Sequence, residues 1–340
     1  MRARLATIAI YGAGSIGCYL GGRLEGHASV RVRYIGRERM LQDLRQHGLT
    51  FSDLRSYEQH IEPAALDLHG EAAAARGASL VLVCVKSAAT AEAARQLAGV
   101  ITPGTLVISM QNGLHNADVL RAALPRCTVL AGMVPFNVVQ RSAGVFHQAS
   151  SGELMVQSDA TLVPWLAAFA NSGLPLHVHR DMPAVQRAKL LLNLNNAINA
   201  LSQTSLRDEL SRRDWRRCLA LAQREALGVF RRAGLSIARL TPLPPAWMPR
   251  VLELPDALFR RLASRMLAID PLARSSMWDD LSAGRRTEVD YINGEIVAMA
   301  KAGGATAPVN ARLCELIHAA EETPQRWEAA ALLAALREAG

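Results

Sequence analysis

The chain has 340 residues, of which 50% are hydrophobic, 20% charged and 5% aromatic, and its formal net charge is +8 at pH 7. This length is enough for two domains with substantial cores. The sequence has no run of 18 apolar residues, so no membrane span is predicted. The positive charge would attract anionic ligands, but no basic segment interleaved with aromatic residues predicts nucleic-acid binding. The pairs Arg212-Arg213 and Arg216-Arg217 lie in a helical pattern and are interpreted as a solvated helix face.

The cysteine and histidine patterns predict neither disulfides nor a metal site. The five cysteines are scattered without a CxxC pair, and this odd, unpatterned count favours a reducing compartment, which we take to be the cytoplasm. His177 and His179 have no cysteine or acid framing them at ligand spacing, so no metal is predicted. The short apolar stretch after Arg4 ends in a glycine turn, so it is interpreted as a first strand rather than a signal peptide.

A GxGxxG motif follows the first predicted strand, Thr7 to Tyr11, and precedes a run that is compatible with a helix. In this context its first glycine permits a tight turn, its second lets a pyrophosphate approach the backbone, and its third lets the helix pack on the strand. The N–H groups of the helix N-terminus then face the phosphates. A glycine-rich turn without a ligand is the alternative. The motif predicts dinucleotide contacts from Gly12, Gly14, Ser15, Ile16 and Gly17.

The end of the second predicted strand narrows the choice of cofactor. In this fold the residue about 20 positions past the glycines meets the adenosine ribose, and arginine there accommodates the 2′-phosphate of NADP. The strand Val30 to Ile35 is followed by Gly36 and then Arg37, whose guanidinium donors form a rigid fork suited to phosphate. We therefore predict NADP, although Glu38 keeps NAD open.

Strands and helices alternate in the first half of the chain. Continuous apolar runs are typical of strands buried in a parallel sheet, and alternation with helices indicates βαβ units. The predicted class is therefore α/β, with an N-terminal Rossmann-type, doubly wound, mostly parallel sheet. The stretch 49–68 alternates weakly and is compatible with short strands. Further strands are predicted over 79–85, 105–110 and 127–134, helices over 38–46 and 90–97, and a helical turn over 72–76.

The pattern changes near residue 182, where long segments of helical period begin. We predict an NADP-binding Rossmann-type domain over 1–181 and an all-helical substrate and catalytic domain over 182–335. The predicted helices of the second domain are 184–201, 209–233, 255–268, 288–302 and 310–319.

Polar side chains follow two of the buried strands. Lys86 comes directly after the strand 79–85, and Asn112 follows the strand 105–110. Ligands of open α/β sheets meet the carboxyl ends of the strands, so both residues are expected to face the cofactor crevice. Asn112-Gly113 is also an ordinary turn pair.

Four asparagines interrupt the otherwise apolar helix predicted over 184–201. Buried amides need hydrogen-bond partners, and asparagine is a poor helix former. At about 100° per residue, Asn193 lies roughly 40° from Lys189, and Asn196 lies roughly 20° away on the other side. These three side chains are predicted to form one polar stripe. An interface or a hydrogen-bonded core network is the alternative.

The segment from Ser275 to Glu295 holds further candidates. Glu288 stands at the predicted start of an amphipathic helix, with Thr287 as its cap. A structural role for Glu288 at this helix start is compatible with a catalytic one.

Together these motifs resemble the ketopantoate reductase family. The resemblance rests on GAGSIG, VKS, QNG, KLLLN and SSMWDDLSAGRRTEVDYINGE in this order, and it spans about residues 7–318. It implies NADPH-dependent reduction of a small 2-oxo acid, 2-dehydropantoate, to (R)-pantoate, a step toward pantothenate and coenzyme A.

The resemblance also implies residue roles. Lys189 is the general acid that protonates the developing alkoxide. Glu288 holds the substrate hydroxyl, helps to position Lys189 and contributes to cofactor binding. The other implied contacts are Asn193 and Ser276 with the substrate, Asn112 with both substrate and nicotinamide ribose, and Lys86 and Arg37 with the cofactor.

Two segments depart from the family pattern. Ala197 stands where the family commonly has a second asparagine, and Asn196 or Asn199 is expected to replace it, Asn196 being favoured by helical phase. The segment from Met133 to Val138 also differs. Reduction of another small 2-oxo acid and non-catalytic NADP sensing therefore stay open. A homodimer is compatible with the sequence, although no motif predicts one.

Overall fold

A computed structural model of the chain describes residues 6–26, 30–262 and 273–340. The chain divides between Met182 and Pro183 into two compact units. In the described part, no helix combines the length and the apolar character that a membrane crossing needs. All five cysteines lie within these residues, and none forms a disulfide.

The strands of the first unit fall into two sheets. Within the described residues, eight strands form one sheet in the order β12-β11-β8-β7-β6-β1-β2-β5, and four form a second in the order β4-β3-β10-β9. In chain order the strands are β1 Ala6–Tyr11, β2 Val30–Ile35, β3 Leu49–Ser52, β4 Glu58–Ile61, β5 Asp67–His69, β6 Leu80–Val83, β7 Leu106–Ser109, β8 Thr128–Met133, β9 Val138–Ser142, β10 Val145–Gln148, β11 Leu154–Gln157 and β12 Leu176–His179.

The larger sheet has the topology of a dinucleotide-binding fold. Its strands β5, β2, β1, β6, β7 and β8 are all parallel, and β11 joins β8 antiparallel before pairing in parallel with β12. This order matches the doubly wound pattern in which the chain starts at the centre and winds outward in both directions. The predicted Rossmann-type fold class is confirmed.

Alternate residues of the central strands face two separate cores. Ile8 and Ile10 of β1 belong to a core shared with the helix that follows the glycine motif, whereas Ala9 and Tyr11 belong to a core on the opposite face. A sheet covered on both faces gives strands that are apolar throughout, as in β6. The helices of this unit are α1 Ser15–Glu25, α2 Glu38–His47, α3 Thr90–Ala98, α4 Asn116–Ala123 and α5 Val163–Asn171.

The smaller sheet was only partly predicted. The weak alternation over 49–68 corresponds to β3 and β4 of this sheet and to the start of β5 in the larger one. The stretch 138–179, for which the pattern predicts nothing, contributes β9 and β10 to the smaller sheet and β11 and β12 to the larger sheet. These strands are short and partly exposed, so they lack the continuous apolar runs of the central strands. The segment 72–76 forms a single 3₁₀ turn, Ala72–Ala75.

The described residues of the second unit form helices and connecting segments without a strand, and the predicted helical class of this unit is confirmed. Its helices, of which α6 begins one residue before the boundary, are α6 Met182–Asn193, α7 Asn195–Ser202, α8 Leu206–Ser211, α9 Arg213–Arg232, α10 Met248–Leu252, α11 Asp256–Leu262, α12 Ser276–Ser282, α13 Val289–Ala302, α14 Pro308–Glu322 and α15 Ala329–Ala339.

Two predicted helices are interrupted. The helix predicted over 184–201 is divided at Leu194 into α6 and α7, and the helix predicted over 209–233 is divided at Arg212, whose φ of −107° and ψ of 124° are extended. Neither break has a proline or a glycine to signal it. Of the helix predicted over 255–268, residues 263–268 lie outside the described residues.

Arg216 is buried, so the prediction of a solvated arginine face is wrong at this position. Its side chain has no exposed surface, and its guanidinium donates to the carbonyls of Leu210, Leu252 and Leu254 at 3.0, 2.9 and 2.7 Å. It also forms an ion pair with Asp256 at 2.9 Å. A guanidinium has five donors, so it can satisfy several helix-terminal carbonyls at once. Arg216 thereby joins the ends of α8, α10 and α11.

We predict that Arg216→Ala lowers the free energy of unfolding by about 3–5 kcal/mol, because it leaves buried carbonyls without donors. Arg213→Ala is the matched control: Arg213 is exposed and also donates to a carbonyl, that of Glu253, and its loss should cost less than about 0.5 kcal/mol. Denaturant unfolding followed by circular dichroism measures both, and equal losses would contradict the prediction.

Candidate functional site

The turn between β1 and α1 has no room for a side chain at Gly12. Gly12 has a φ of +109°, and a Cβ there would lie 2.6 Å from the backbone nitrogen of Val85. The N–H groups of Gly12 and Ala13 both donate to the carbonyl of Ile35 at 2.9 Å. The turn is therefore held against the end of β2 and the chain leaving β6, and only glycine fits it.

The other two glycines of the motif differ in what surrounds them. A Cβ on Gly17 would lie 2.2 Å from the carbonyl oxygen of Gly12, whereas a Cβ on Gly14 would meet no described atom within 4 Å. Gly17 thus allows the close contact of helix and turn. The space over Gly14 is open, as a ligand that approaches the backbone requires.

The N-terminus of α1 is suited to an anion. The first helical hydrogen bond runs from the N–H of Cys18 to the carbonyl of Gly14 at 2.8 Å, and the N–H groups of Ser15, Ile16 and Gly17 precede it. Within the described residues, no side chain caps this terminus and its first turn holds no acid. Backbone donors combine here with the positive end of the helix dipole.

Arg37 stands beside this turn at the end of β2. A Cβ on Gly36 would lie 2.8 Å from the Cβ of Ala13, which is closer than two carbon atoms can pack. The residue after β2 is therefore packed closely against the glycine turn. Arg37 follows Gly36, is exposed and precedes the first residue of α2. The carboxylate of Glu38 pairs with Arg45 of its own helix at 2.7 Å.

Buried hydrogen bonds join the turn at Lys86 to the turn at Asn112. Ser87 Oγ donates to the carbonyl of Asn112 at 3.1 Å, and Asn116 Nδ2 donates both to Ser87 Oγ at 3.1 Å and to the carbonyl of Asn112. Ser87 and Asn116 are buried, Asn112 is half-buried and Lys86 is exposed. The two strand ends therefore present Lys86 and Asn112 from one rigid assembly.

A second set of contacts extends this assembly inward. Gln111 Nε2 donates to the carbonyl of Val85 at 3.0 Å and to Thr90 Oγ1 at 2.6 Å, and its Oε1 accepts from Ser109 Oγ at 2.9 Å. Thr90 Oγ1 in turn donates to Asn116 Oδ1 at 2.7 Å. Gln111 therefore has a structural role in the QNG motif.

Lys189 and Asn193 share one face of α6. They are four residues apart, or about one helical turn. Lys189 is half-buried, and this burial lowers the pKa of its ammonium to about 8. Asn193 is buried and is the last residue of the helix. The predicted polar stripe thus holds for these two residues within a single helix.

A break at Leu194 lies between Asn196 and the other two residues of the predicted stripe. The predicted angle between Lys189 and Asn196 assumes a continuous helix, but Asn196 lies on α7. At the end of α6 the fully buried Gln223 donates from Nε2 to the carbonyl of Leu191 at 3.1 Å. A side chain from α9 thus satisfies a terminal carbonyl. Asn196 itself is half-buried.

Two of the four asparagines belong to the core network that we kept as an alternative. Asn195 and Asn199 both donate from Nδ2 to the carboxylate of Glu209, each at 2.7 Å. Ser202 Oγ donates to the same carboxylate at 3.3 Å. Because the amide of Asn199 is committed to this network, Asn196 is the stronger of the two candidates for the position of the missing family asparagine.

Ser276 is presented by a neighbour that is tied to α7. Ser275 is buried, donates from Oγ to the carbonyl of Asn196 at 3.2 Å and from its N–H to Asn199 Oδ1 at 2.8 Å. Its Oγ also accepts from the N–H of Trp278 at 3.2 Å and so caps α12. Ser276 is the exposed first residue of that helix.

Glu288, rather than Thr287, is the N-cap residue of α13, so the predicted cap is off by one position. Thr287 Oγ1 accepts from the N–H of Val289 at 3.3 Å, while its own N–H and hydroxyl donate to Glu321 at 2.8 and 2.7 Å. The side chain of Glu288 makes no capping bond and is half-buried. Capping of α13 therefore does not account for a carboxylate at position 288.

The end of the long motif is structural. Asn293 Nδ2 donates to Asn310 Oδ1 at 3.1 Å, and both residues are fully buried. Glu225 of α9 accepts from the N–H groups of Val309 and Asn310 at 3.0 and 2.9 Å, which caps α14 with a carboxylate.

Within each unit the structure brings some of the predicted residues together. In the first unit Gly36, which precedes Arg37, lies close to the glycine turn, and Ser87, which follows Lys86, is hydrogen-bonded to the carbonyl of Asn112. In the second unit Lys189 and Asn193 share a helix, and Ser275 links Asn196 to Ser276. Sequence reasoning missed the buried residues that hold these groups. Ser87, Gln111 and Ser275 lie inside quoted motifs and could have been considered, whereas Glu209 and Glu225 carry no sequence signal.

Comparison with known proteins identifies the family. The sequence profile described as "Ketopantoate reductase PanE/ApbA" matches residues 8–160, and the profile of its C-terminal part matches residues 181–321. A curated relative, the 2-dehydropantoate 2-reductase of Halobacterium salinarum, is 29% identical over 321 residues, which cover 92% of this chain and 98% of that protein.

Solved structures show the same fold over nearly the whole chain. A PanE/ApbA family ketopantoate reductase from Ralstonia eutropha superposes with a TM-score of 0.79 at 28% identity, covering 94% of this chain and 99% of that chain. A D-mandelate dehydrogenase solved with NADH and anilino(oxo)acetate superposes with a TM-score of 0.76 at 20% identity, covering 94% and 99%; at that identity the likeness concerns the fold alone. The chain belongs to the ketopantoate reductase family, a family of oxidoreductases.

Proposed function

We propose that this chain is an NADP-dependent oxidoreductase that reduces 2-dehydropantoate to (R)-pantoate on the route to pantothenate and coenzyme A. The observation that carries the proposal is Lys189, a half-buried lysine with its pKa lowered to about 8 on the face of α6 that also holds Asn193. The two family profiles cover both units. The curated relative from Halobacterium salinarum is named 2-dehydropantoate 2-reductase.

The glycine turn fits a dinucleotide. The open space over Gly14 admits a pyrophosphate, and the N–H groups of Ser15, Ile16 and Gly17 would donate to it. Gly12 keeps the turn tight enough for this contact. When bound, a nicotinamide nucleotide would supply the hydride for ketone reduction.

Three further residues would complete the cofactor contacts. Arg37 would pair with the 2′-phosphate of NADP, since it directly follows the strand end that touches the glycine turn. Glu38, the acid that would favour NAD, is engaged with Arg45. Lys86 would lie near a ribose or phosphate of the cofactor, and Asn112 would bridge the nicotinamide ribose and the substrate.

Lys189 would act as the general acid. A ketone oxygen gains negative charge as its carbon accepts a hydride. An ammonium whose pKa is lowered toward the working pH both stabilises this charge and transfers its proton to give the alcohol. Burial supplies the shift, because it penalises the charged form of the lysine. Asn193 and Asn196 would orient the substrate, and Ser276 would bind its carboxylate or hydroxyl side. Glu288 would hold the substrate hydroxyl and help to position Lys189 and the cofactor.

Replacement of Lys189 tests the acid. Lys189→Ala should lower kcat for 2-dehydropantoate by about 10²–10⁴-fold, the usual contribution of a positioned acid, while the Kd for NADPH changes little. The protonated form prevails below a pKa of about 8, so wild-type kcat/KM for reduction should fall as pH rises through about 8. Steady-state oxidation of NADPH over pH 6–10 measures both. Turnover that survives the substitution would remove Lys189 from the mechanism.

Arg37 tests the choice of cofactor. Arg37→Ala should weaken NADPH binding by about 10–100-fold, the worth of a charge-assisted hydrogen bond, and NADH binding by less than about twofold. Arg39→Ala is the control, since Arg39 is also exposed but lies two residues farther along. Fluorescence titration of the wild type and both variants with NADPH and with NADH measures the six dissociation constants. Equal losses for NADPH and NADH would contradict the 2′-phosphate contact.

The glycine turn gives a matched pair of variants. Gly14→Ala places its methyl in open space, so the protein should fold with wild-type stability but lose nicotinamide nucleotide binding by at least about tenfold. Gly17→Ala drives a methyl into the Gly12 carbonyl and should lower the free energy of unfolding by about 1–3 kcal/mol. Thermal unfolding and NADPH titration separate the two effects. Tight NADPH binding by Gly14→Ala would contradict the assignment.

The first experiment is a panel of 2-oxo acids offered with NADPH and with NADH. Fast turnover of 2-dehydropantoate with NADPH supports the proposal. Turnover of a different 2-oxo acid would instead support the related reductase activity that the altered Met133–Val138 segment and Ala197 leave open. Tight NADPH binding without turnover of any acid would indicate an NADP-sensing protein.

A further inference from the structure

Glu209 is a buried carboxyl that the proposed chemistry does not use. It lies on α8 with 1% of its surface exposed, and it accepts hydrogen bonds from Asn195, Asn199 and Ser202. Desolvation raises the pKa of this carboxyl to about 7, although the three hydrogen bonds oppose the shift. Burying a carboxyl costs free energy, which donors offset only in part. The presence of an acid at this position therefore requires an explanation.

The amide of Asn199 connects Glu209 to the start of α12. Its Nδ2 donates to Glu209 at 2.7 Å and to the carbonyl of Thr204 at 2.9 Å, while its Oδ1 accepts from the N–H of Ser275 at 2.8 Å. An amide turned by 180° would set its NH₂ group against that N–H. The acceptors at Glu209 and Thr204 therefore decide which end of the amide faces Ser275.

We propose that Glu209 is a positioning residue that fixes Ser276 through Asn199 and Ser275, and thereby sets the KM for the 2-oxo acid. The inference rests on the proposed function in one respect, that Ser276 binds the substrate. We call the hydrogen-bonded series Glu209, Asn199 and Ser275 the relay. Ser275 Oγ also donates to the carbonyl of Asn196, so the relay also holds α12 against the part of α7 that contains Asn196.

Asn195 allows this relay to tolerate a change at Glu209. Among the described residues, Asn195 Oδ1 is buried without a hydrogen-bond partner, so its amide can turn and offer an acceptor instead of a donor. Asn199 cannot turn without losing Ser275. A glutamine at 209 would thus donate to a turned Asn195 and still accept from Asn199, which preserves the relay.

The side chains that face Glu209 from α7 are the neutral ones named above. Helix α8 itself carries the exposed Arg207 and also Asp208, which accepts from Ser205 Oγ. From α9, Cys218 interacts electrostatically with Glu209 and has its pKa raised to about 12 by burial, so its thiol is neutral. Arg216 of the same helix donates to the carbonyl of Leu210.

The test compares three variants with the wild-type full-length chain. Glu209→Ala should raise the KM for the 2-oxo acid about tenfold, with kcat and the Kd for NADPH within about twofold. Glu209→Gln should restore KM to within about threefold of wild type at every pH from 6 to 8. Glu225→Ala is the control, because this carboxylate caps α14 elsewhere in the same unit and its loss should lower stability without moving KM.

Two kinetic results would overturn the inference. The first is that Glu209→Ala keeps the wild-type KM but loses stability as Glu225→Ala does. This result would show that Glu209 has a purely structural role. The second is a KM raised as much by Glu209→Gln as by Glu209→Ala, since glutamine keeps the acceptor for Asn199. If Glu209→Ala fails to fold, Glu209→Asp replaces it. Its shorter side chain should raise KM severalfold, and an unchanged KM would likewise overturn the inference.

Hydrogen exchange separates this inference from the proposed function. The N–H groups of Ser275 and Trp278 are bonded within the relay, so both should exchange at least about tenfold faster in Glu209→Ala but not in Glu209→Gln or Glu225→Ala. No substrate is needed. Absence of wild-type turnover on every 2-oxo acid would reject the proposed function, whereas unchanged exchange at Ser275 and Trp278 would reject the positioning role.

Discussion

A helix or strand that ends in the interior of a protein leaves backbone donors and acceptors that must find partners there. In this chain, buried side chains supply those partners. Asn116 donates to the carbonyl of Asn112 after β7, Gln223 donates to Leu191 at the end of α6, and Glu225 accepts from the first N–H groups of α14. These contacts satisfy the groups at the ends of the elements, and two of the candidate residues, Asn112 and Asn193, stand at such ends.

The same constraint produces a repeated pairing of neighbours. A buried residue is hydrogen-bonded, and the residue next to it in sequence is presented outward: Ser275 is held and Ser276 is exposed, and Ser87 is held beside exposed Lys86. Thr287 is also fixed, by Glu321, although it and the neighbouring Glu288 are both half-buried. Because adjacent residues share a backbone, holding one side chain positions the other at little additional entropic cost.

The sequence predicted best where the constraint is local. The structural roles of Gly12 and Gly17 follow from a turn of six residues, and the contacts of a Cβ at each of these two positions agree with them. The central strands and the helical second half also follow from hydrophobic periodicity. Each of these signals is contained within a short stretch of chain, so no knowledge of distant partners is needed.

The sequence failed where the partner is far along the chain. The buried guanidinium of Arg216 donates to the carbonyls of Leu252 and Leu254, which are 36 and 38 residues farther along the chain. Similarly, the four asparagines near Lys189 look alike in sequence, and only Glu209 and Ser275 separate Asn195 and Asn199 from the others. Tertiary contacts therefore decide which polar residues of a motif serve the fold.

Burial acts in opposite directions on the two titratable groups that matter most in the helical unit. It lowers the pKa of Lys189 to about 8 and raises that of Glu209 to about 7, because in both cases it penalises the charged form. Near neutral pH the lysine becomes a better proton donor. The carboxyl, surrounded by donors, stays an acceptor for Asn199. A shifted pKa alone does not distinguish an acid from a positioning group; the direction of the surrounding hydrogen bonds does.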